Sequence, residues 1–398
     1  MTSAVAEAPI TFVLPEAERY GATGGAIATV THELVAELLR SGVGAVVISP
    51  RLNGHPYQEG EVVTLKRTGD TATWAHRFGR RAAARLSPSR LGPRARYLAE
   101  LHRRLAQRES TRVVVNNDPT LAAELSLDAR RTVVLWLHNY LQGAEAEALA
   151  RVPATVRMIA VSESVRRWTI DQVGVNADQV VTILNAVNHE HFHAVEHAPG
   201  TTAGLQLVCH GRVDPNKGQL LAVRAVALAR ARGAGDVRLT VLGGALSFGH
   251  PGGAQQRYEA ELQEAADKTG AVLTGRVPAD EMGARLRDFD VALVLPLVPE
   301  PFGLVAVEAM ASGCAVIAVP TGGLAEVLGD AALLVQPDVD AVAEAIVRVA
   351  SDAELLQILR ERGAARAQSF SWAGAAAALI ELIRSDERNA LGDTKATR

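Results

Sequence analysis

Two carboxylates, Glu300 and Glu308, flank Phe302-Gly303 in the stretch P-L-V-P-E-P-F-G-L-V-A-V-E-A-M-A-S-G, Pro296 to Gly313. Glu300 falls on a Pro-rich turn after an apolar strand. Glu308 falls inside a helix whose other residues are of the kind proteins bury. A Glu in that setting is costly unless a polar partner meets it. At the helix start, around Gly303 and Leu304, unbonded amides and the helix dipole point toward the same turn. Together these groups suit an anion that carries hydroxyls, such as a nucleotide sugar. The spacing also admits a plainer reading, a helix at a domain edge with one Glu facing water.

Cations appear where such an anion would need them. In L-Q-L-V-C-H-G-R-V-D-P-N-K-G-Q a strand ends at His210, and the following loop delivers Arg212 and Lys217 before the next helix. Arg offers a fork and Lys a point charge, a combination able to grip a diphosphate. Ordinary surface loops carry the same residues. L-T-G-R-V-P places Arg276 and Val277 after another strand, at the same edge, and the glycine-rich loop Gly243 to Gly253 is flexible enough to close over a ligand. Near the N-terminus Gly24-Gly25 precede a helix from Ala26 to Arg40, where glycine permits close backbone approach to a phosphate. A simple tight turn explains the pair equally well. V-N-N-D-P-T and L-H-N-Y-L each follow a strand, which puts Asn117, His138, Asn139 and Tyr140 at a ligand-facing edge. His138 also reads as a structural histidine.

The elements that must position these residues alternate regularly. Apolar runs suggest strands at Ile10–Leu14, Ala45–Ile48, Arg112–Val115, Thr132–Leu137, Met158–Val161 and Val180–Leu184. A second set lies at Gln206–His210, Arg238–Leu242, Ala271–Thr274, Val291–Leu295, Ala315–Val319 and Ala332–Val335. Short, wholly apolar strands separated by helical patterns mean parallel sheets covered on both faces. Two sets mean two doubly wound α/β domains, Rossmann-like, with the strand ends that bind ligands on either side of a cleft. The boundary falls between 187 and 188, in a stretch rich in turn formers, giving domains 1–187 and 188–375.

Bulk properties exclude several classes. A chain of 398 residues is too long for one core, and 48% hydrophobic with 21% charged residues is ordinary for a soluble globular protein. A net charge of −3 gives no case for nucleic-acid binding. Cys209 and Cys314 sit in apolar runs and read as buried thiols in a reducing compartment. With neither a signal-peptide pattern nor a transmembrane stretch, a cytoplasmic location is expected. Lysine occurs only at Lys66, Lys217, Lys268 and Lys395, the arginine bias of a high-GC bacterial genome. Residues 77–112 are rich in arginine, either a solvated helical face or a docking surface for an acidic acceptor, a carrier protein or an anionic bilayer. His189-Glu190-His191-Phe192-His193 matches the H-E-x-x-H zinc pattern but lies in the interdomain linker. Asp288-Phe289-Asp290 is a D-x-D at the wrong end of a strand for a ligand. No metal or cofactor is expected.

The chain resembles the family-4 retaining glycosyltransferases of the GT-B fold, most clearly from Leu205 to Trp372. The resemblance rests on G-R-V-x-x-x-K-G at 211–218, V-L-G-G at 241–244, L-T-G-R-V at 273–277 and E-P-F-G-L-V-A-V-E-A-M-A-S-G at 300–313. V-P-T-G-G at 319–323 and F-S-W at 370–372 complete it, with looser matches at T-G-G-A, L-H-N, V-S-E-S and I-L-N-A-V-N in the first half. It implies a catalytic set of Arg212, Lys217, Glu300 and His138. Arg212 and Lys217 would bind the donor diphosphate, Glu300 the sugar hydroxyls and Glu308 the ribose. His138 would face the sugar near its anomeric carbon. Gly25, Arg276, Val277, Phe302, Gly303 and Leu304 would line the donor, and Asn117, Asn139 and Tyr140 the acceptor. The helix at about 376–398 would pack back on the first domain.

The same resemblance implies UDP-GlcNAc or UDP-glucose as donor. The acceptor would be a hydroxyl or amine of a small or carrier-bound molecule, as in bacterial natural-product assembly. An envelope lipid or polysaccharide acceptor, reached by peripheral membrane contact through residues 77–112, is a second option. A nucleotide-sugar epimerase of the same architecture and a catalytically dead binding module are the competing classes. The family's P-S-x-x-E is here Pro296-Leu297-Val298-Pro299-Glu300, and its N-G-V-D is here N-A-V-N. These departures leave the sugar open.

Overall fold

A computed structural model describes residues 7–16, 18–21, 25–50, 57, 59–65, 93–195, 204–244 and 253–396. Gly24, residues 77–92 of the arginine-rich segment and most of the loop between Gly243 and Gly253 fall outside these. The chain divides into two compact units. One comprises Met1–Ala160, Thr169–Val181 and Ala376–Arg398, the other Val161–Trp168 and Thr182–Ala375.

The first unit is built on a seven-stranded sheet. Its strands are β1 (Ile10–Val13), β2 (Ala45–Ser49), β3 (Glu61–Thr64), β4 (Arg112–Asn116), β5 (Thr132–Leu137), β6 (Arg157–Ala160) and β7 (Val180–Thr182), in the order β3-β2-β1-β4-β5-β6-β7. The second unit holds β8 (Leu205–His210), β9 (Val237–Leu242), β10 (Val272–Leu273), β11 (Val291–Val294), β12 (Ala315–Ala318) and β13 (Leu333–Leu334), in the order β10-β9-β8-β11-β12-β13. The strands pair in parallel, β1 with both β2 and β4 and β8 with both β9 and β11. The doubly wound reading of the sequence therefore holds in both halves. In each sheet the winding reverses beside the first strand, between β1 and β4 and between β8 and β11. That reversal opens a crevice at the strand ends, the place where open α/β sheets take their ligands.

The central strands are wholly buried, as a parallel sheet with helices on both faces requires. In the second unit Val223, Val226, Ile317, Ile346 and Leu293 share one core with Cys209. Both cysteines are buried free thiols, each pushed up to about 12 by burial. One strand escaped the sequence. In β3 only Val63 is buried, because an edge strand has one neighbour and a half-wet face, which erases the apolar run.

The helix Trp372–Ala396 ends in the first unit. There Arg112, at the start of β4 and only 10% exposed, donates from Nε and Nη2 to both oxygens of Glu387, each at 2.7 Å. Its Nη1 donates to Glu7 at 2.9 Å. Lysine cannot reproduce this planar fork. Arg112→Lys is expected to cost about 1–2 kcal/mol, read as a lower melting temperature; an unchanged melt would show that the fork is ornamental.

Candidate functional site

In the second unit β8 ends at His210, and Gly211 then turns with φ +113°. The loop carries Arg212 into a 3-10 turn, Pro215–Lys217, whose start is capped by the Asp214 carboxylate accepting from the Asn216 amide at 2.9 Å. Gln219, buried, donates to the Arg212 carbonyl at 2.8 Å and accepts from the Tyr258 hydroxyl at 3.1 Å. The loop backbone is thus fixed from beneath, while the Arg212 side chain stays 46% exposed and sits 3.3 Å from Asp214.

Across the crevice, β11 runs into the turn that bears Glu300. Leu297 donates its amide to Asn216, tying the two loops together at 2.9 Å. The Lys217 ammonium meets the Glu300 carboxylate at 2.5 Å, with Glu300 18% exposed. The helix Leu304–Ala311 starts after Gly303, a left-handed residue at φ +94°, and no side chain caps it. The positive φ selects glycine here; a Cβ at Gly303 would also lie 2.6 Å from Leu324 Cδ1, a side-chain tip that would have to shift. Phe302 is buried edge-to-face against Phe370, ring centres 5.6 Å apart, which pins the helix start. One turn further, Glu308 Oε2 lies 3.2 Å from His210 Nε2. Gly243 and Gly275 form an isolated bridge, which puts Arg276, exposed, and Val277, half-buried, just beyond β10.

In the first unit the ends of β4 and β5 carry a second cluster. Asn116 donates from Nδ2 to the Val13 carbonyl at 3.0 Å, so its Oδ1 must accept, and it does so from His138 Nε2 at 2.8 Å. The proton of His138 therefore sits on Nε2. Asn117, left-handed at φ +52°, accepts the His138 amide at 2.8 Å. The ring stacks on Trp136, and burial holds its pKa down at about 3. His138 is thus a neutral imidazole. Asn139 is exposed and Tyr140 half-buried beside it. Gly25 heads the helix Ala26–Arg40, and its amide donates to Glu18 Oε1 at 2.7 Å. Burial raises the Glu18 pKa, against that hydrogen bond.

A family model described as Glycosyltransferase Family 4 matches residues 23–191, and one described as Glycosyl transferases group 1 matches residues 204–352. The chain belongs to the family-4 glycosyltransferases. The phosphatidyl-myo-inositol mannosyltransferase of Mycolicibacterium smegmatis is 31% identical over 234 residues, 57% of this chain and 56% of that one. The D-inositol 3-phosphate glycosyltransferase of Nocardia farcinica is 30% identical over 241 residues, 56% of this chain and 51% of that one. The chain thus spans about half the length of the curated relatives it matches. Among solved structures, sucrose-phosphate synthase of Thermosynechococcus elongatus superposes with a TM-score of 0.75 at 20% identity, covering 95% of this chain and 98% of that one. Anabaena HepE in complex with UDP and glucose gives 0.70 at 20% identity, with 94% and 99% covered. Both neighbours have the GT-B fold, the fold of this chain.

For a family-4 chain, the expected donor residues of the second unit come together. Arg212, Lys217, Glu300, Gly303, Leu304 and Glu308 all occupy the crevice edge between β8 and β11. Phe302 does so through its backbone, since its ring is packed inside. His138, Asn117 and Gly25 belong to the first unit. Three contributors escaped the sequence. His210 meets Glu308, Gln219 holds the Arg212 carbonyl, and Glu18 sits on the Gly25 amide. Only His210 left a signal, as a polar residue closing an apolar strand. Glu308 was expected to need a polar partner, and His210 supplies one within the protein.

The other expectations also find their places. His189 to His193 form a turn and not a helix, with His193 Nδ1 3.1 Å from the Glu190 carbonyl. Asp290 accepts from the Gln206 amide at 2.8 Å and from Arg360 at 2.6 Å, a structural duty. In the described part of the basic segment, Arg103 and Arg104 pair with Glu100, Arg108 with Glu61 and Arg94 with Asp118. Among the described residues no helix is long and apolar enough to cross a membrane.

The depressed pKa of His138 has a thermodynamic consequence. Its folded value of about 3 lies below the ordinary 6.5, so between them the unfolded chain binds a proton that the folded chain refuses. Stability should therefore fall as pH drops through that window, by about 1.4 kcal/mol per unit from this group. Urea melts at pH 7 and pH 5 are expected to show a shallower loss for His138→Asn than for the wild type. Equal losses would show that the ring is not held neutral.

Proposed function

We propose that the chain is a retaining, metal-independent glycosyltransferase. It moves a hexose or N-acetylhexosamine, with UDP-GlcNAc or UDP-glucose as donor, to a hydroxyl or amine of a small or carrier-bound acceptor. The observation that carries this reading is the Lys217–Glu300 pair, 2.5 Å across the β8/β11 crevice, with Arg212 and the uncapped helix start beside it. Cations for a diphosphate, a carboxylate for sugar hydroxyls and a second carboxylate for a ribose occupy one sheet edge. Anabaena HepE, which shares the fold, binds UDP and glucose, and this supports the donor class. The inositol-bearing acceptors named for two relatives make a cyclic polyol or its phosphate a good first acceptor to try.

In this reading the bond from the anomeric carbon to the phosphate oxygen breaks while the acceptor oxygen bonds to the same face of that carbon. The departing phosphate oxygen takes the acceptor proton, so no protein nucleophile is required. Arg212, Lys217 and the amides of Gly303 and Leu304 stabilise the charge that grows on the phosphate. Neutral His138 offers no charge and acts by shape and hydrogen bonding.

The test is to incubate purified protein with each UDP-sugar and an acceptor panel that includes inositol and inositol phosphate. UDP release would be followed with and without EDTA, and the product anomer assigned by NMR. Acceptor-dependent UDP release that survives EDTA, with the donor's anomeric configuration kept, is expected. An inverted product or loss of activity with EDTA defeats the mechanism. Isomerisation of the donor without acceptor identifies an epimerase instead.

A further inference from the structure

We infer that His210 is a positioning residue for the nucleotide: it locks Glu308 so that one carboxylate oxygen is presented to a ribose hydroxyl, and so sets the preference for ribonucleotide donors. The inference rests on the donor-site reading above and goes beyond it in assigning a role to His210.

His210 closes β8 at the sheet's reversal point, with its side chain only 2% exposed. A buried imidazole there is costly unless it is bonded, and Glu308 Oε2 lies 3.2 Å from its Nε2. An ionised carboxylate only accepts, so Nε2 carries the proton whether the ring is neutral or charged. The contact uses one of the two carboxylate oxygens. Among the described residues Oε1 has no protein partner, and the Glu308 side chain keeps 19% of its surface open.

Glu308 lies in a short helix, Leu304–Ala311, whose neighbours Val307, Ala309 and Met310 are buried and offer no hydrogen bond to its carboxylate. Without His210 the carboxylate would be free to turn between rotamers. A hydroxyl-binding group discriminates only if it stays put, because the penalty for a missing hydroxyl is an acceptor left unpaired. Held by His210, Glu308 charges that penalty in full. Released, it relaxes toward solvent and charges little.

The experiment is calorimetric titration of the whole chain with UDP, 2′-deoxy-UDP and 3′-deoxy-UDP. In the wild type the larger of the two deoxy penalties is expected to be about tenfold or more in Kd. In His210→Leu, and in His210→Met run beside it as a second apolar replacement, UDP binding weakens and that penalty falls to within about threefold. His210→Gln, whose amide can donate to Glu308, restores the penalty; a purely structural role would not be rescued in this ratio. A wild-type penalty in either apolar variant overturns the inference, as does a folded His210→Gln that behaves like them. Wild-type protein that binds no UDP would instead defeat the donor-site reading, a separately visible result.

Discussion

Lys217→Ala is expected to lower kcat by about a hundredfold or more, and Arg212→Ala by a comparable but smaller factor. In the proposed mechanism both side chains would face a diphosphate whose charge increases as the glycosidic bond breaks, so their contribution would be greater in the transition state than in the bound donor. Their surroundings differ. Lys217 holds Glu300 at 2.5 Å, and Glu300 is only 18% exposed. Removing the lysine leaves a half-buried carboxylate unneutralised, which beside the phosphates of the proposed donor would add repulsion to the lost attraction. Arg212 is 46% exposed, and its partner Asp214 is already bonded to the Asn216 amide at 2.9 Å. Its loss strands nothing. Adding Glu300→Gln to Lys217→Ala should therefore improve UDP affinity over the single variant while leaving kcat low, since the sugar contact is lost too. Steady-state kinetics with calorimetry for UDP separates the two effects. Near-wild-type turnover in Lys217→Ala would remove the proposed electrostatics.

The architecture was legible because parallel strands buried on both faces must be apolar throughout. Runs such as Thr132–Leu137 and Val291–Leu295 therefore announce themselves, and two such sets imply two sheets. Edge strands obey no such rule, and β3, with Val63 alone buried, stayed hidden. The residues on the second unit's crevice edge were legible from motif and from the awkwardness of Glu308 in an apolar helix. What could not be read was pairing. That Lys217 would meet Glu300, or His210 meet Glu308, depends on the strand order placing β8 beside β11, which separates the partners by 83 and 98 residues in the chain. Glu18 illustrates the same limit at short range. Its carboxylate occupies the Gly25 amide at 2.7 Å, a contact set by the path of the loop and not by residue type. An incoming phosphate at that helix start would have to compete with it.

The second large effect is expected at Gly218→Ala, which should lower stability by about 3–5 kcal/mol and the melting temperature by about 6–20 °C. Gly218 follows Lys217, adopts φ +75° and precedes the helix Gln219–Ala231. An L-residue in that region costs about 1–2 kcal/mol by itself. The larger part is contact. An added Cβ would fall 2.0 Å from the Leu295 carbonyl oxygen, backbone at the end of β11 that has no rotamer through which to yield. Either the helix start or the end of β11 must move, and these carry Lys217 and Glu300. Loss of UDP affinity should therefore accompany the lower melt. Gly233, at the other end of the same helix, is the internal control. Its φ is +92°, but nothing lies within 4 Å of its added Cβ, so Gly233→Ala carries only the conformational strain. The gap between the two variants isolates the cost of the backbone clash. Equal melting temperatures for the pair would mean that the β8 and β11 loops are not packed as closely as their hydrogen bond implies.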